Sequence, residues 1–177
     1  LMALNSSRTT TVQLTNVFVA FEFLLHGPVE NVMKQTGGGA GSYTTSALAV
    51  GHAANAISLL RNEADRRPEL NEIFQPFTSE HLSISADLAL AAADTSDAPS
   101  HLSAETMRQR SNSLALRASQ ASLATSKGAG FVASHPASRL VAEAMFFLVW
   151  SCPQPVVLGN LRELTCMTSG SDDVNLS

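Results

Sequence analysis

The sequence predicts an all-α fold, an antiparallel helical bundle preceded by a short N-terminal β-strand. Apolar residues recur every three or four positions in several segments, which is the spacing of one helix face. Glycine, proline and N-cap residues interrupt these segments at intervals, so the helices should be joined by short connections. We expect a strand remnant of another domain and a linker over residues 1–36, the bundle over 37–167 and a polar tail over 168–177.

The stretch over residues 9–19 predicts a half-buried strand. Val12 and Leu14 alternate with polar neighbours, and three more β-branched or aromatic residues follow over 17–19, a composition typical of strands. A single strand cannot pair its own edges, and the rest of the sequence offers scarcely any other. Because the chain also opens on Leu1 instead of methionine, we expect it to be part of something longer.

Three long helices are predicted in the middle of the chain. The first runs from about Tyr43 to Ala64 with one apolar face, and Pro68 lies just beyond it, where proline disfavours helix in the preceding residue. The second is expected over about 79–93. Ser103 should be the N-cap of the third, which is expected to run to Ser126 with only a weak apolar stripe.

Two further helices are predicted near the C-terminus. His135 and Pro136 open the fourth, and residues 140–150 are apolar almost all round except at Glu143. That pattern is typical of a buried helix. The proline-containing stretch over 151–155 should end it, and a fifth, shorter helix should extend to about Leu164.

Composition argues against several classes of function. The net charge is −4 and no basic stripe is present, so we expect no nucleic-acid partner. No run of about 18 apolar residues occurs, so we expect no membrane span. No secretion signal opens the chain, which predicts a cytoplasmic protein whose two cysteines are reduced. The five histidines are scattered singly and predict no metal site.

The glycine-rich segment over residues 37–42 allows two interpretations. Free backbone N–H groups before a helix can hold a phosphate. The segment nevertheless lacks the Walker lysine and the spacing of a dinucleotide fingerprint. We therefore expect a flexible hinge here.

Several segments, in the same order and with compatible spacing, resemble acyl-CoA dehydrogenases. KGAGF at Lys127–Phe131 and HPASRL at His135–Leu140 resemble the family's glycine-rich turn and the motif after it. Residues 146–150 match the buried helix that leads into the catalytic loop, and 161–164 match the closing helix. Nearer the N-terminus, three segments are similar to the last strand of the β-domain, its exit and the first C-terminal helix: 12–19, 24–27 and 49–53.

The resemblance implies the C-terminal helical bundle of an FAD-dependent oxidoreductase that forms dimers or tetramers. Arg67 falls where the family places an arginine on the FAD pyrophosphate, a role suited to a forked guanidinium. Gly128 lies in the turn that approaches FAD in the family. Two neighbours depart from the family pattern, because Leu70 replaces an expected phenylalanine and Ala124 an expected glutamine.

The resemblance also implies that the usual catalytic base is missing. The family removes an α-proton from an acyl thioester with a glutamate, and Ser151 occupies the aligned position. A serine hydroxyl is no base at neutral pH without an activating partner. Three interpretations stay open: a dehydrogenase-like enzyme with a relocated base, a flavin monooxygenase of the same fold, and a non-catalytic helical assembly module. In each, the isolated chain is expected to be inactive.

Overall fold

A computed structural model describes residues 10–27, 29–30, 43–93, 100–150 and 152–166. Within them the fold is a bundle of α-helices: α1 (Tyr43–Ala64), α2 (Asn71–Ala92), α3 (Ala104–Thr125), α4 (Pro136–Phe146) and α5 (Gln154–Leu164). Short 3-10 helices occupy Phe21–Phe23, Pro68–Leu70, Ser100–Leu102 and Lys127–Phe131. The predicted all-α bundle is confirmed. The expected hinge at 37–42 and the tail from 168 lie outside the described residues.

Helix α3 is the centre of the bundle and touches each of the other four helices. At its start, the Tyr43 hydroxyl at the beginning of α1 donates to the Leu102 carbonyl at 2.8 Å. At its end, Arg67 just beyond α1 donates to the Thr125 carbonyl. Helices α1 and α3 therefore run parallel, and α2, which lies between them in the chain, runs in the opposite direction. The end of α4 meets the start of α3 through Asn112 and the Phe147 carbonyl, so α4 runs opposite to α3.

The central position of α3 follows from its small side chains. Its buried residues include Ala115 and Ala118 but also Ser111, Ser119 and Ser122. Side chains of this size let neighbouring helices approach α3 from several sides. The weak apolar stripe in the sequence thus reflects a helix that is buried around much of its circumference. The ends of α3 are as predicted, since Ser103 accepts a hydrogen bond from the Thr106 N–H and caps the helix.

The predicted strand over 9–19 is wrong for the residues described there. Residues 10–20 form no strand and are mostly exposed, with Phe18 90% accessible. A strand is stable only when a neighbouring strand pairs with its backbone groups. No other strand occurs among the described residues, so the period-two pattern has no partner to pair with.

Two helix boundaries also differ from the prediction. Helix α2 begins at Asn71 instead of residue 79, because Pro68–Leu70 turns directly into it and Pro76 is accommodated inside it. A proline this close to the start removes one backbone hydrogen bond of the early helix. Helix α4 ends at Phe146 instead of reaching Trp150. The apolar run after it is only partly buried by the described residues, since Phe147 is buried but Val149 is 75% exposed.

Candidate functional site

The structure brings two of the predicted site residues together at the far end of α1 and α3. The Nη2 atom of Arg67 donates to the Thr125 carbonyl and to a carboxylate oxygen of Glu63, the latter at 2.8 Å. Thr125 is the last residue of α3, and Gly128 follows it in the 3-10 turn Lys127–Phe131. Arg67 therefore contacts the residue three positions before Gly128, and both residues lie near this end of α3.

The guanidinium of Arg67 retains donors for a ligand. Both of its hydrogen bonds within the described residues use Nη2, which leaves Nη1 and Nε. Its side chain is 26% exposed, so an anion can reach it. The Glu63 carboxylate partly offsets its positive charge, and an anion that binds here must compete with that carboxylate.

The two glycines of the turn have different roles in packing. A Cβ at Gly130 would lie 2.8 Å from a Leu123 methyl carbon and 3.1 Å from the Ser126 Cβ, so internal packing favours glycine there. A Cβ at Gly128 would meet nothing within 4 Å. Packing among the described residues therefore does not account for glycine at position 128.

A second polar cluster lies at the other end of α3, where α4 ends. Arg108 donates through Nη2 to the Trp150 carbonyl at 2.8 Å, and Asn112 donates to the Phe147 carbonyl at 3.0 Å. The Cys152 thiol donates to the same Phe147 carbonyl at 3.7 Å. Burial raises the pKa of the Cys152 thiol, although Arg108 opposes that shift, so the thiol is protonated at neutral pH.

Ser151, the predicted base position, lies outside the described residues, and its neighbours belong to this second cluster. At a rise of 1.5 Å per residue, the stretch of α3 from Arg108 to Thr125 spans about 25 Å. A small ligand at Arg67 therefore cannot also touch the Trp150 backbone. The structure joins Arg67 to Thr125 at the end of α3, three residues before Gly128, and keeps this end apart from the α4–α5 connection.

Sequence reasoning missed the second cluster. Arg108 and Asn112 are four residues apart and so share one face of α3, yet polar residues inside a helix usually face solvent. One feature of the sequence does indicate that they are buried. The other residues of this helix are largely small, and neighbouring helices can surround such a helix on several sides.

A histidine and a glutamate form a third polar contact, between α1 and α4. The Nε2 atom of His52 lies 3.7 Å from a carboxylate oxygen of Glu143, and the imidazole packs edge-on against Phe147. Burial lowers the pKa of His52, while Glu143 and the Leu140 carbonyl raise it and Arg139 lowers it further. The net shift is downward, so His52 is neutral in the folded protein near pH 7.

We expect the stability of the protein to fall as the pH drops below about 6.5, the ordinary pKa of histidine. The unfolded chain then binds a proton at His52 that the folded state disfavours, and each unit of pKa lowering is worth about 1.4 kcal/mol. The loss continues until the pH falls below the folded-state pKa. Urea unfolding between about pH 5 and 8, the range in which histidine ordinarily titrates, measures this loss of stability.

His52→Phe should flatten this pH dependence, because phenylalanine keeps a ring against Phe147 and cannot titrate. His101→Gln is the matched control, since His101 is exposed. An unchanged pH profile in His52→Phe, or a flattened one in His101→Gln, would contradict the assignment.

An open groove of about 770 Å³ lies along α3 between α2 and α5. Arg110 and Arg162 line it together with three glutamates, Glu80, Glu105 and Glu163, and Arg110 also pairs with Asp87 at 2.7 Å. The groove therefore presents no strong field of either sign. None of the residues predicted for FAD lines it.

Two further features are absent from the described residues. No group of three histidine, cysteine or acidic residues there is arranged to hold a metal ion. No helix within the same ranges has the length and apolar character needed to cross a membrane.

Comparison with known proteins gives no relative. No family model, no curated protein and no solved structure matches the chain. What the chain does must therefore be inferred from its own residues.

Proposed function

We propose that this chain is the FAD-binding helical domain of an acyl-CoA dehydrogenase-like oxidoreductase. The observation that carries the proposal is the contact between Arg67 and the end of α3. The resemblance assigns Arg67 and Gly128 to the same cofactor, and the fold places both at one end of the bundle although they are far apart in sequence. Both assignments come from the same resemblance, and the contact with Thr125 supports them because it brings Arg67 to the end of α3 that precedes Gly128.

The residues at this surface fit a dinucleotide phosphate. Arg67 keeps Nη1 and Nε as free donors on a guanidinium that is always charged, and each can donate to a phosphate oxygen. Packing does not require glycine at position 128. Because Gly128 has no side chain, a ligand can approach its backbone closely. FAD, when bound, supplies the hydride acceptor. This chain contributes phosphate binding and orientation.

The reaction itself depends on a base that position 151 does not provide. Removal of an α-proton needs a carboxylate or comparable group within reach of the substrate. Glu143, the carboxylate of α4, lies 3.7 Å from His52 and 3.6 Å from Arg139, at the contact between α1 and α4 and not at the α4–α5 connection. We propose an acyl thioester as the substrate class, with the base supplied from outside the described residues. A flavin monooxygenase needs no such base and is the alternative outcome of the test.

The visible absorption spectrum of the intact protein from its natural source tests the proposal. We expect a bound flavin, and we expect a panel of acyl-CoA thioesters to bleach it in the absence of oxygen. Bound flavin without bleaching by any thioester would favour the monooxygenase. A colourless protein that takes up no added FAD would refute the proposal.

Substitutions at the two glycines separate ligand binding from packing. Gly130→Ala should destabilise the fold by about 1–3 kcal/mol, because the Ser126 Cβ cannot move away as a flexible side chain can. Gly128→Ala should change stability by less than about 0.5 kcal/mol and weaken flavin binding. Urea unfolding and flavin titration measure the two effects. Equal flavin affinity in Gly128→Ala and wild type would contradict the role given to Gly128.

Exposed leucines on α5 favour a second candidate, a helical assembly module without catalysis. Leu158, Leu161 and Leu164 are each between 43% and 58% exposed and recur at three-residue spacing, so they lie near one another along the helix. A row of this kind is often covered by another protein surface. This candidate predicts a colourless homodimer or homotetramer, which Leu161→Asp should dissociate in sedimentation measurements.

A further inference from the structure

Arg108 is almost completely buried and has no acidic partner among the described residues. It is 2% exposed, and none of the ion pairs within those ranges includes it. Burial lowers its pKa, and the Cys152 thiol is the one ionisable group that opposes this shift. A buried cation without a carboxylate is costly, so its other contacts must compensate for its charge.

Those contacts are main-chain carbonyls just beyond the end of α4. Arg108 Nη2 lies 2.8 Å from the Trp150 oxygen and 3.5 Å from the Phe147 oxygen. Asn112, one turn further along α3, also donates to Phe147. Phe147 and Trp150 lie beyond Phe146, the last residue of α4, and each main-chain carbonyl oxygen is a hydrogen-bond acceptor with partial negative charge. They therefore act together as the counter-charge of the guanidinium.

We propose that Arg108 and Asn112 are positioning residues, which fix the course of the chain from α4 into the connection to α5. An apolar side chain at position 108 could stabilise the core at lower cost, but it could not bind two carbonyls in a set geometry. The importance of this connection for a reaction rests on the proposed function, because the resemblance places the catalytic loop here. The geometric claim itself can be tested without flavin.

The chain carries its own reporters for the test. Trp150 is the only tryptophan, and Cys166→Ser leaves Cys152 as the only cysteine. Cys152 is partly buried and receives a contact from Asn160 at 3.9 Å, so its alkylation depends on local opening of the connection. In this background, iodoacetamide labelling of Cys152 and the emission maximum of Trp150 both report on the segment that Arg108 holds.

We expect Arg108→Met to raise the rate of Cys152 alkylation by about tenfold or more, which corresponds to about 1.4 kcal/mol of easier local opening, and to shift the Trp150 emission. Arg108→Lys should restore much of the protection, since an ammonium group can still donate to carbonyls. Arg110→Met is the matched control. Arg110 lies on the same helix as Arg108, and its replacement breaks the pair with Asp87 of α2, so the labelling rate should stay unchanged.

A merely structural role makes a different prediction. In that case, the labelling rate would depend only on the free energy of unfolding. Leu88→Ala and Arg108→Met, each in the urea concentration that gives the two variants equal stability, would then expose Cys152 equally. That result would overturn the proposal, as would wild-type labelling in folded Arg108→Met. If Arg108→Met does not fold, Asn112→Leu decides. It keeps the size of the side chain and removes its donor, so faster labelling supports the proposal and wild-type labelling refutes it.

Flavin binding separates this inference from the proposed function. In the intact protein, Arg108→Met should keep its flavin, because Arg108 lies about 25 Å along α3 from the Arg67 end. An intact protein that never binds flavin would refute the proposed function, and the thiol measurements would still decide the role of Arg108.

Discussion

Arg67→Ala is expected to weaken flavin binding by about one to two orders of magnitude in the intact protein. A hydrogen bond to a charged group is worth about 1.5–3 kcal/mol, and the guanidinium would provide more than one such bond to a pyrophosphate. Flavin fluorescence during titration with FAD measures the dissociation constant. The ratio of bound flavin to protein after gel filtration gives an independent reading.

Arg66→Ala is the matched control for this experiment. Arg66 also pairs with Glu63, at 3.4 Å, but its side chain is 75% exposed. Within the described residues, no hydrogen bond joins Arg66 to Thr125. Loss of a surface pair of this kind costs little. We therefore expect wild-type flavin binding in Arg66→Ala. Equal losses in the two variants, or none in Arg67→Ala, would remove the main support for FAD at this surface.

The juxtaposition on which this experiment depends could not be predicted from pattern alone. It requires α1 and α3 to run parallel and to match in length, and both have 22 residues. Sequence indicates each helix separately: the ends of α1 match the prediction, and Ser103 marks the start of α3. The direction in which two such helices pack is decided by the whole core, which no local signal encodes.

The failures of sequence reasoning have equally local causes. Pro76 obscured the start of α2, because proline inside a helical pattern ordinarily marks an end. The apolar run over 140–150 predicted continuous helix, but the chain leaves the helix after Phe146, and α3 side chains bind the carbonyls that follow. Arg108 was missed because an arginine inside a helix is ordinarily solvated. In the last two cases, contacts with α3 outweighed a correct local preference.

Leu114→Ala is expected to cost about 2–5 kcal/mol of the free energy of unfolding, with a value in the upper half of that range. Leu114 is completely buried in α3, and alanine is the commonest residue in the core cluster around it. Alanine has no rotamers with which to fill a cavity, and helices already in close contact can move together only slightly. The site should therefore relax poorly, which is the condition under which a cavity costs most.

Urea unfolding followed by circular dichroism measures this loss, and Leu48→Ala on α1 is its control. Leu48 is 51% exposed, so its truncation should change the unfolding free energy by less than about 0.5 kcal/mol. A loss below about 1 kcal/mol in Leu114→Ala would mean that the core can collapse around the missing side chain. Such a core would not hold α1 and α3 in a fixed register. Without that register, the contact between Arg67 and Thr125 would lose its support.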